Sequence, residues 1–314
     1  MYAMSKDIML LSSVPTFMMN DLQQEYVLHD HAHILDPEAF TKVTAFVGVG
    51  STSKVDRKLL AMFPNVKMIS IFGVGYDGID VAAVKERGIQ VTHTPDVLTD
   101  DVADLAMGLI LSMGRRIPQS DKFVRNGDWV SEPFTMTHKV TGSRLGVVGF
   151  GRIGQAIAKR AAAFDMTIAY TGRRAKTNAP FRYYPTATEL ATNSDYLVVA
   201  VPGGDDTKNM INAQVLKALG PRGIVVNIAR GSVVDQTALI QALKDKSIAG
   251  AGLDVFWDEP NIDPQFFKLH NVVLTPHNGS NTHETRRAMA DLALANLKAF
   301  FDERPLLTLI PECQ

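Results

Sequence analysis

The stretch RLGVVGFGRIGQAIAKRAAAF, residues 144–164, leads from an apolar run through a glycine-rich turn into a helical pattern. The apolar residues before the turn predict a buried strand. Ile153, Ile157 and Ala161 recur at the spacing of one helix face, which predicts an amphipathic helix. A strand that passes directly into a helix is the first half of a βαβ unit, so this stretch predicts a parallel α/β domain.

The turn itself has the spacing GxGxxG, and each glycine has a mechanical explanation. Gly149 permits the tight turn, Gly151 lets a pyrophosphate approach the backbone, and Gly154 lets the helix pack closely on the strand. The first helical turn, with Arg152 and Ile153, offers backbone amides and a positive dipole end to phosphates. The pattern predicts a dinucleotide site; a tight turn without a ligand is the alternative.

The end of the next predicted strand carries arginines where an acid is usual. About 20 residues beyond such a turn, an Asp or Glu normally binds the ribose hydroxyls of NAD. This chain has TIAYTGRRAK at residues 167–176, without an acid. An arginine fork pairs with a 2′-phosphate, which a carboxylate would repel. We therefore predict NADP(H) as the preferred cofactor, with NAD(H) left open, and contacts from Thr171, Arg173 and Arg174. A solvated basic loop is the alternative.

Short β-type runs alternate with helical patterns along the whole chain, which predicts parallel sheets joined by crossover helices. The apolar helix that begins at Thr99 is suited to join two domains, and an amphipathic helix over 283–301 is long enough to return to the first. We predict two Rossmann-like or flavodoxin-like α/β domains with the active site in the cleft between them. Residues 1–101 plus 286–314 form the substrate-binding domain, and residues 102–285 form the NAD(P)-binding domain.

Two segments have weaker patterns. The polar and apolar residues through 22–28 predict a helix, and residues 118–143 read as a polar connection before the glycine turn.

The composition of the 314-residue chain indicates a globular protein with balanced charge. Apolar residues make up 46%, and 32 basic residues face 33 acidic ones, so charge favours neither nucleic acid nor an anionic membrane as a partner. Cys313 is the only cysteine, no apolar run reaches the roughly 20 residues that span a bilayer, and the N-terminus lacks the basic region of a signal peptide. We expect a cytoplasmic protein without an intrachain disulfide.

Three later motifs place a cation, two acids and an imidazole after successive predicted strands. They are VNIARGSVVD with Arg230, AGLDVFWDEP with Asp254 and Glu259, and LTPHNGS with His277. The carboxyl ends of parallel strands meet at one edge of a sheet, where ligands bind in open α/β folds. Taken singly, Arg230 could cross-link strands, Glu259 could be a surface acid and His277 a core histidine.

Together with ISIFGVGYDGID and VTHTPDVLTDDVADLAMGLIL, these motifs resemble the D-isomer-specific 2-hydroxyacid dehydrogenases over nearly the whole chain. In detail they are most similar to the glyoxylate/hydroxypyruvate reductase branch. The resemblance implies an NAD(P)-dependent oxidoreductase that reduces a small 2-keto acid to the D-2-hydroxy acid with NADPH. It implies Arg230, Glu259 and His277 as catalytic residues, and Val74 and Gly75 as contacts for the substrate carboxylate opposite Arg230. A turn that only ends a strand is the alternative for Val74 and Gly75.

The chemistry of these residue types agrees with those roles. The rigid donor fork of Arg230 can bind a carboxylate and polarise a ketone. His277 is a general acid because imidazole gives and takes a proton near neutral pH, and it is also expected to contact substrate and cofactor. Glu259 would bind the other ring nitrogen and fix the tautomer.

The resemblance implies further cofactor contacts. Asp254 would accept from the nicotinamide carboxamide; capping of the next turn is the structural alternative. Asn278 stands where the family more often has an apolar residue, so we expect polar surroundings for His277. No metal site is predicted. The remaining expected cofactor contacts are Val201, Pro202, Thr207, Ile228, Ala229 and Gly279.

Other functions stay open at this point. The substrate could be larger, such as hydroxyphenylpyruvate or 2-ketogluconate, or the chain could be a non-catalytic NAD(P)-sensing protein like the corepressors that share this fold. A 3-phosphoglycerate dehydrogenase is a further enzymatic alternative. The end of the sequence at Gln314, without a further tail or regulatory segment, favours the small-acid reductase. By resemblance, NGDWVSEPFTMTH forms the arm of a homodimer through Trp129 and Phe134, although a local core role is equally compatible with the residues.

Overall fold

The computed structural model describes residues 6–30, 39–50 and 52–314 of the chain. Two compact units are present: Met1–Leu98 with Thr282–Gln314, and Thr99–Asn281. The units divide after Leu98 and Asn281, whereas the sequence prediction divided the chain after residues 101 and 285. Residues 1–5, 31–38 and 51 of the predicted substrate-binding domain lie outside the described residues.

The first unit contains a five-stranded parallel sheet in the order β2-β1-β3-β4-β5, which is a flavodoxin-like order. Its strands are Asp7–Leu10 (β1), Val27–Asp30 (β2), Val43–Val49 (β3), Met68–Phe72 (β4) and Gln90–Thr92 (β5). Its helices are Thr16–Glu25 (α1), Ala39–Lys42 (α2), Arg57–Met62 (α3), Val81–Glu86 (α4) and His283–Phe301 (α11). The expected flavodoxin-like α/β fold is confirmed for this unit.

Burial explains why these segments form strands. Every residue of β1 and β4 is buried, as expected for a parallel sheet covered by helices on both faces. Phe63, just after α3, packs edge-on against Phe46 of β3 with ring centroids 5.2 Å apart. Helix α11 lies on β4, where the Ser70 hydroxyl donates to the Ala293 carbonyl oxygen over 3.3 Å.

The helix predicted through 22–28 is wrong in its second half. Helix α1 ends at Glu25, Tyr26 is extended, and Val27–Asp30 pairs in parallel with Asp7–Leu10. Because β2 is an edge strand, half of its residues are exposed, so its sequence lacks the apolar run that signals an inner strand.

The second unit contains a seven-stranded parallel sheet in the order β12-β11-β10-β9-β6-β7-β8. Its strands are Arg144–Val148 (β6), Thr167–Thr171 (β7), Arg182–Tyr183 (β8), Tyr196–Val199 (β9), Ile224–Asn227 (β10), Gly250–Leu253 (β11) and Val272–Leu274 (β12). Its helices are Thr99–Arg115 (α5), Ile117–Arg125 (α6), Arg152–Ala162 (α7), Ala187–Thr192 (α8), Ala213–Leu219 (α9) and Gln236–Lys244 (α10). The Rossmann-like prediction is confirmed for this unit.

The strand order reverses at β6, which pairs with β7 on one side and β9 on the other. Such a switch point leaves a crevice at the carboxyl ends of the strands, where open α/β sheets bind ligands. Strand β6 ends in the glycine-rich turn. The topology therefore places the predicted dinucleotide turn at this crevice.

The polar connection predicted over 118–143 contains helix α6, with Pro118 in its first turn, where a missing amide costs no hydrogen bond. None of the residues of α6 is buried, and its apolar side chains Ile117 and Val124, which share one helix face, are exposed. Within the described ranges, no helix combines the length and apolarity needed to cross a membrane.

Candidate active site

The glycine-rich turn between β6 and α7 requires glycine at two positions for reasons of packing. Gly149 has φ +98°, and a Cβ there would lie 2.7 Å from the Ala200 backbone. A Cβ on Gly154 would lie 2.1 Å from the Gly149 carbonyl oxygen. Both contacts are far closer than packed atoms allow, so the protein alone accounts for these two glycines.

Gly151 has no such explanation. Its φ of −79° suits any residue, and a Cβ there would meet no described atom within 4 Å. It is also the N-cap of α7, an eleven-residue helix whose N-terminus has no side-chain cap. Open space beside Gly151 at this helix N-terminus fits the pyrophosphate of a bound NAD(P), and contacts from Arg152 and Ile153 stay a prediction.

The basic loop begins at Thr171, which is buried at the end of β7 and whose carbonyl oxygen accepts from the Gly149 amide over 2.9 Å. Arg173 and Arg174 follow immediately and are exposed. Among the described residues, neither guanidinium has an ion pair or a side-chain hydrogen bond. Both cations are therefore available to an anion near the glycine turn.

The basic loop is held in place by protein contacts that do not involve the side chains of Arg173 and Arg174. The Lys176 amide donates to the Tyr170 hydroxyl over 2.8 Å, and the Tyr170 ring stacks on Phe150 with centroids 4.3 Å apart. Because Phe150 lies inside the glycine-rich turn, the loop and the turn are held together by protein contacts.

On the other side of the switch point, the segment after β9 lies against the same turn. A Cβ on Gly149 would come within 2.7 Å of the Val201 side chain. The Thr207 hydroxyl donates to the Pro202 carbonyl oxygen over 2.7 Å, which folds this segment back on itself. Val201 and Pro202 thus border the turn, and Thr207 holds their loop in place.

Strand β10 ends at Asn227, a buried residue that shapes the approach to Arg230. The Asn227 side chain accepts from the Ala229 amide over 3.0 Å and donates to the Arg230 carbonyl oxygen over 2.9 Å. Arg230 Nη1 donates to the Ala229 carbonyl oxygen over 2.7 Å. Sequence reasoning missed Asn227; a polar residue at the end of an apolar run was the available signal. Ile228 and Ala229 are buried within this turn.

His277 and Glu259 form a close pair. His277 Nδ1 lies 2.6 Å from Glu259 Oε2, and Glu259 Oε1 accepts from the Phe256 amide over 2.8 Å. His277 has φ +51°, a left-handed conformation that is uncommon outside glycine and is often found at functional sites. The ring is therefore oriented by a carboxylate that is itself held by the backbone.

Asp254, 2% exposed, holds the loop that carries His277. Its Oδ1 accepts from the Thr275 hydroxyl over 2.7 Å and from the Asn278 amide over 2.9 Å. Its Oδ2 accepts from the Gly279 amide over 3.0 Å. Asp254 therefore holds the His277 loop, which is a structural role different from the expected capping of the next turn, and its contact with the nicotinamide stays a prediction. Thr275 was missed because a threonine before a proline carries no chemical signal of its own.

The two acids differ in their electrostatics. Burial raises the pKa of Asp254, although Thr275 and two backbone amides favour its ionised form. Burial also opposes ionisation of Glu259, but the hydrogen bond and charge of His277, the Phe256 amide and the charge of Arg230 outweigh it, so the pKa of Glu259 is lowered. The ionised form of Glu259 is thus favoured, and the positive charge of Arg230 contributes to this.

The expected polar surroundings of His277 are visible at Asn278. Its Oδ1 atom is buried and has no hydrogen-bond partner among the described residues. Such an atom costs free energy unless a donor reaches it.

Val74 and Gly75 belong to the first unit, in the loop after β4. Gly73 has φ +150°, and its amide donates to the Thr94 hydroxyl over 3.1 Å. The Val74 carbonyl oxygen lies 2.9 Å from His93 Nδ1. These contacts shape the loop, and the assignment of Val74 and Gly75 to the substrate carboxylate stays a prediction.

The structure brings Arg230, Asp254, Glu259 and His277 together at the carboxyl ends of β10, β11 and β12, strands that are neighbours in the sheet. A cation, an oriented imidazole and a buried anion in one cluster can bind an anionic substrate and transfer a proton.

Comparison with known proteins agrees with this arrangement. Residues 107–279 match the family model for the D-isomer specific 2-hydroxyacid dehydrogenase, NAD binding domain. The chain is 44% identical over 306 residues to glyoxylate/hydroxypyruvate reductase A of Arabidopsis thaliana, covering 96% of this chain and 97% of that protein. It is 50% identical over 266 residues to hydroxyphenylpyruvate reductase of Plectranthus scutellarioides, covering 85% of each.

A solved structure is similar over the full length. The NADPH-dependent glyoxylate/hydroxypyruvate reductase from Sinorhizobium meliloti, crystallised with NADP and malonate, superposes with a TM-score of 0.92 at 40% identity, covering 98% of this chain and 97% of that one. The glycine turn, the three strand-end motifs and these similarities lead to one conclusion: the chain belongs to the D-isomer specific 2-hydroxyacid dehydrogenase family, whose NAD-binding domain it carries.

Proposed function

We propose that this protein reduces a small 2-keto acid, of the glyoxylate or hydroxypyruvate type, to the D-2-hydroxy acid with NADPH. The observation that carries the proposal is the pair formed by His277 Nδ1 and Glu259 Oε2, which are 2.6 Å apart. The positive charge of Arg230 also helps to lower the pKa of Glu259. A proton donor and a carboxylate-binding cation in one cluster are the two groups that ketone reduction requires beside a hydride source.

The proposed cofactor is NADPH, and it supplies the hydride that is added to C2 of the keto acid. The open space at Gly151, at the N-terminus of α7, fits its pyrophosphate. Arg173 and Arg174, which have no anionic partner among the described residues, fit its 2′-phosphate. NADH lacks that phosphate, so it is expected to bind more weakly.

The protein's own part in the reaction follows from the cluster. Arg230 binds the substrate carboxylate and polarises the C2 carbonyl. Because His277 Nδ1 is engaged with Glu259, Nε2 is the nitrogen that donates the proton to the carbonyl oxygen as C2 becomes tetrahedral. Glu259 stabilises the imidazolium that gives this proton, and Asp254 keeps the His277 loop in position.

The substrate side chain is the least constrained part of the proposal. Relatives of similar identity are named for glyoxylate and hydroxypyruvate on one hand and for hydroxyphenylpyruvate on the other. 2-Ketogluconate reductase of Gluconobacter oxydans, at 42% identity, covers 96% of the chain, as the Arabidopsis protein does. The small acids are favoured because several relatives at 42–47% identity are named for them. A reductase of larger 2-keto acids is therefore the second candidate.

Steady-state turnover of a panel of 2-keto acids with NADPH and with NADH tests the proposal. Glyoxylate and hydroxypyruvate should have the highest kcat/KM, with NADPH preferred. A higher kcat/KM for hydroxyphenylpyruvate or 2-ketogluconate would favour the second candidate. No turnover of any acid with either cofactor would refute the reductase proposal and revive the nucleotide-sensing alternative.

The proposal includes a homodimer in a reducing, cytoplasmic setting, which a single cysteine favours. Trp129, Val130 and Met136 are exposed by 69%, 95% and 96%, and such a row of apolar side chains is typical of an interface. Phe134 has a local partner instead, the ring of Phe123 at 5.2 Å. Light scattering should give a dimer mass that Met136→Asp together with Val130→Asp reduces to the monomer mass.

A further inference from the structure

Arg286, in the first turn of α11, is a half-buried cation for which the described residues offer no counter-charge. Within them, its solvent-shielded Nε atom has no hydrogen-bond partner, and no carboxylate pairs with its guanidinium. The group lies over the Phe72 ring, 5.4 Å from the centroid. Burial lowers its pKa, and no neighbouring charge offsets that effect. A desolvated, unpaired cation destabilises a fold unless a ligand uses it.

The next residue shows that the helix itself does not prevent pairing. Arg287 forms ion pairs with Asp21 at 2.8 Å and with Asp291 at 2.6 Å. Two adjacent arginines of one helix therefore differ in what the protein provides: counter-ions for Arg287 and an aromatic face for Arg286. Cation–π contact stabilises a guanidinium but does not neutralise it.

The position of Arg286 indicates what the counter-charge is. Helix α11 crosses β4 with Ala293 at Ser70, and Arg286 lies farther toward the end of the strand, at Phe72. Phe72 is the last residue of β4, so the guanidinium lies where the loop Gly73–Gly75 begins. The carboxyl end of a parallel strand is the edge at which such folds bind ligands.

We propose that Arg286 is a substrate-binding residue, which pairs with the carboxylate of the 2-keto acid at the Gly73–Gly75 loop. The inference rests on the proposed reduction of such acids. A carboxylate supplies the missing counter-charge and accepts charge-assisted hydrogen bonds from the guanidinium fork.

Kinetics of Arg286→Met, Arg286→Lys and the matched control Arg287→Met test this assignment with glyoxylate and NADPH. The Met variant should raise KM about tenfold to hundredfold, the loss expected for one charge-assisted contact, with a much smaller change in kcat. The Lys variant keeps the charge without the fork and should raise KM less. Arg287→Met should leave KM unchanged.

Thermal unfolding gives a readout that does not depend on turnover. Without ligand, the Tm of Arg286→Met should equal or exceed that of the wild type, because the substitution removes an unpaired buried charge. Oxalate should raise the Tm of the wild type and of Arg287→Met more than that of Arg286→Met.

Equal KM values and equal oxalate shifts for the Met variants at 286 and 287 would overturn the assignment. A lower ligand-free Tm at position 286, or failure of both Arg286 variants to fold, would also overturn it, because either result describes a structural arginine. A wild type that reduces no keto acid would refute the reductase proposal alone, since the oxalate comparison still decides the role of Arg286.

Discussion

The strand-end cluster around His277 and the basic loop after β7 belong to the same unit, but they are held in opposite ways. Asp254 accepts three hydrogen bonds from the His277 loop, and Glu259 binds both the imidazole and a backbone amide. Arg173 and Arg174 are exposed, and within the described chain their guanidinium groups have no acidic partner. The cluster is held by contacts within the protein, whereas the exposed guanidinium groups of the loop are open to solvent or to a ligand.

This difference predicts which substitutions should lower the stability of the protein and which should lower only its affinity for a ligand. Groups that the protein binds for itself contribute to stability as well as to function, because their removal leaves partners unsatisfied. Groups that only a ligand binds contribute to affinity alone. Five experiments test this division, and they follow in order of decreasing expected effect.

His277→Gln should lower kcat/KM for the keto acid by about a hundredfold to ten thousandfold, the range that general acid catalysis supplies. NADPH binding, measured by fluorescence titration, should change by much less. A variant that keeps most of its turnover would contradict the role of His277 as the proton donor.

Arg173→Ala combined with Arg174→Ala should weaken NADPH binding by about 1.5–3 kcal/mol for each lost charge-assisted pair and should spare NADH. The Tm should not change, because neither arginine has a protein partner among the described residues. Arg125→Ala, an exposed arginine of α6 paired with Asp121, is the control and should affect neither cofactor. Equal losses for NADPH and NADH would refute the 2′-phosphate contact.

Asp254→Ala should lower the free energy of unfolding by about 1–3 kcal/mol, since the Thr275 hydroxyl and two amides lose their acceptor. Urea unfolding measures the change, and kcat should fall with it because the His277 loop is released. If only cofactor affinity fell, Asp254 would act as a nicotinamide ligand and would not be needed to hold the His277 loop in place.

Gly154→Ala and Gly151→Ala should separate packing from ligand binding within one turn. A methyl group at 154 meets the Gly149 carbonyl oxygen, so overpacking should cost about 1–3 kcal/mol of stability. At 151 the space is open, so only the smaller cost of alanine at a helix N-cap, about 1 kcal/mol or less, should appear while NADPH affinity falls. Unchanged NADPH affinity for Gly151→Ala would show that the open space is not a ligand site.

Glu259→Gln should have a pH-dependent effect on stability, the smallest of the five. The folded pKa of Glu259 is lowered from its ordinary value of 4.5, so its stabilising contribution is present above that value and is lost as pH falls through the folded pKa. The Tm difference from the wild type should therefore be constant near neutral pH and shrink in acid below about 4.5. Glu132→Gln, an exposed acid, should show no such trend. A difference that grows in acid would contradict the ion pair.

Much of the fold could be read from local patterns. Alternating apolar runs predicted parallel sheets, and the glycine spacing predicted a turn between a strand and a helix, because both depend on residues close together in the chain. The edge strand Val27–Asp30 and the exposed helix Ile117–Arg125 were not predicted. The four-residue strand has no buried residue and so lacks the apolar run of an inner strand. The helix has only nine residues, among polar neighbours, and its apolar side chains are exposed, so its pattern is short.

For the site, the sequence by itself determined which chemical groups are present: a glycine turn, two arginines where an acid is usual, and a cation, acids and an imidazole after successive strands. Only the tertiary structure decided what each group contacts. It made Asp254 the holder of a loop more than 20 residues away, left open space at Gly151 but not at Gly154, and paired Arg287 but not Arg286. Partners across such distances are set by how strands and helices pack, and local sequence patterns carry no record of that packing.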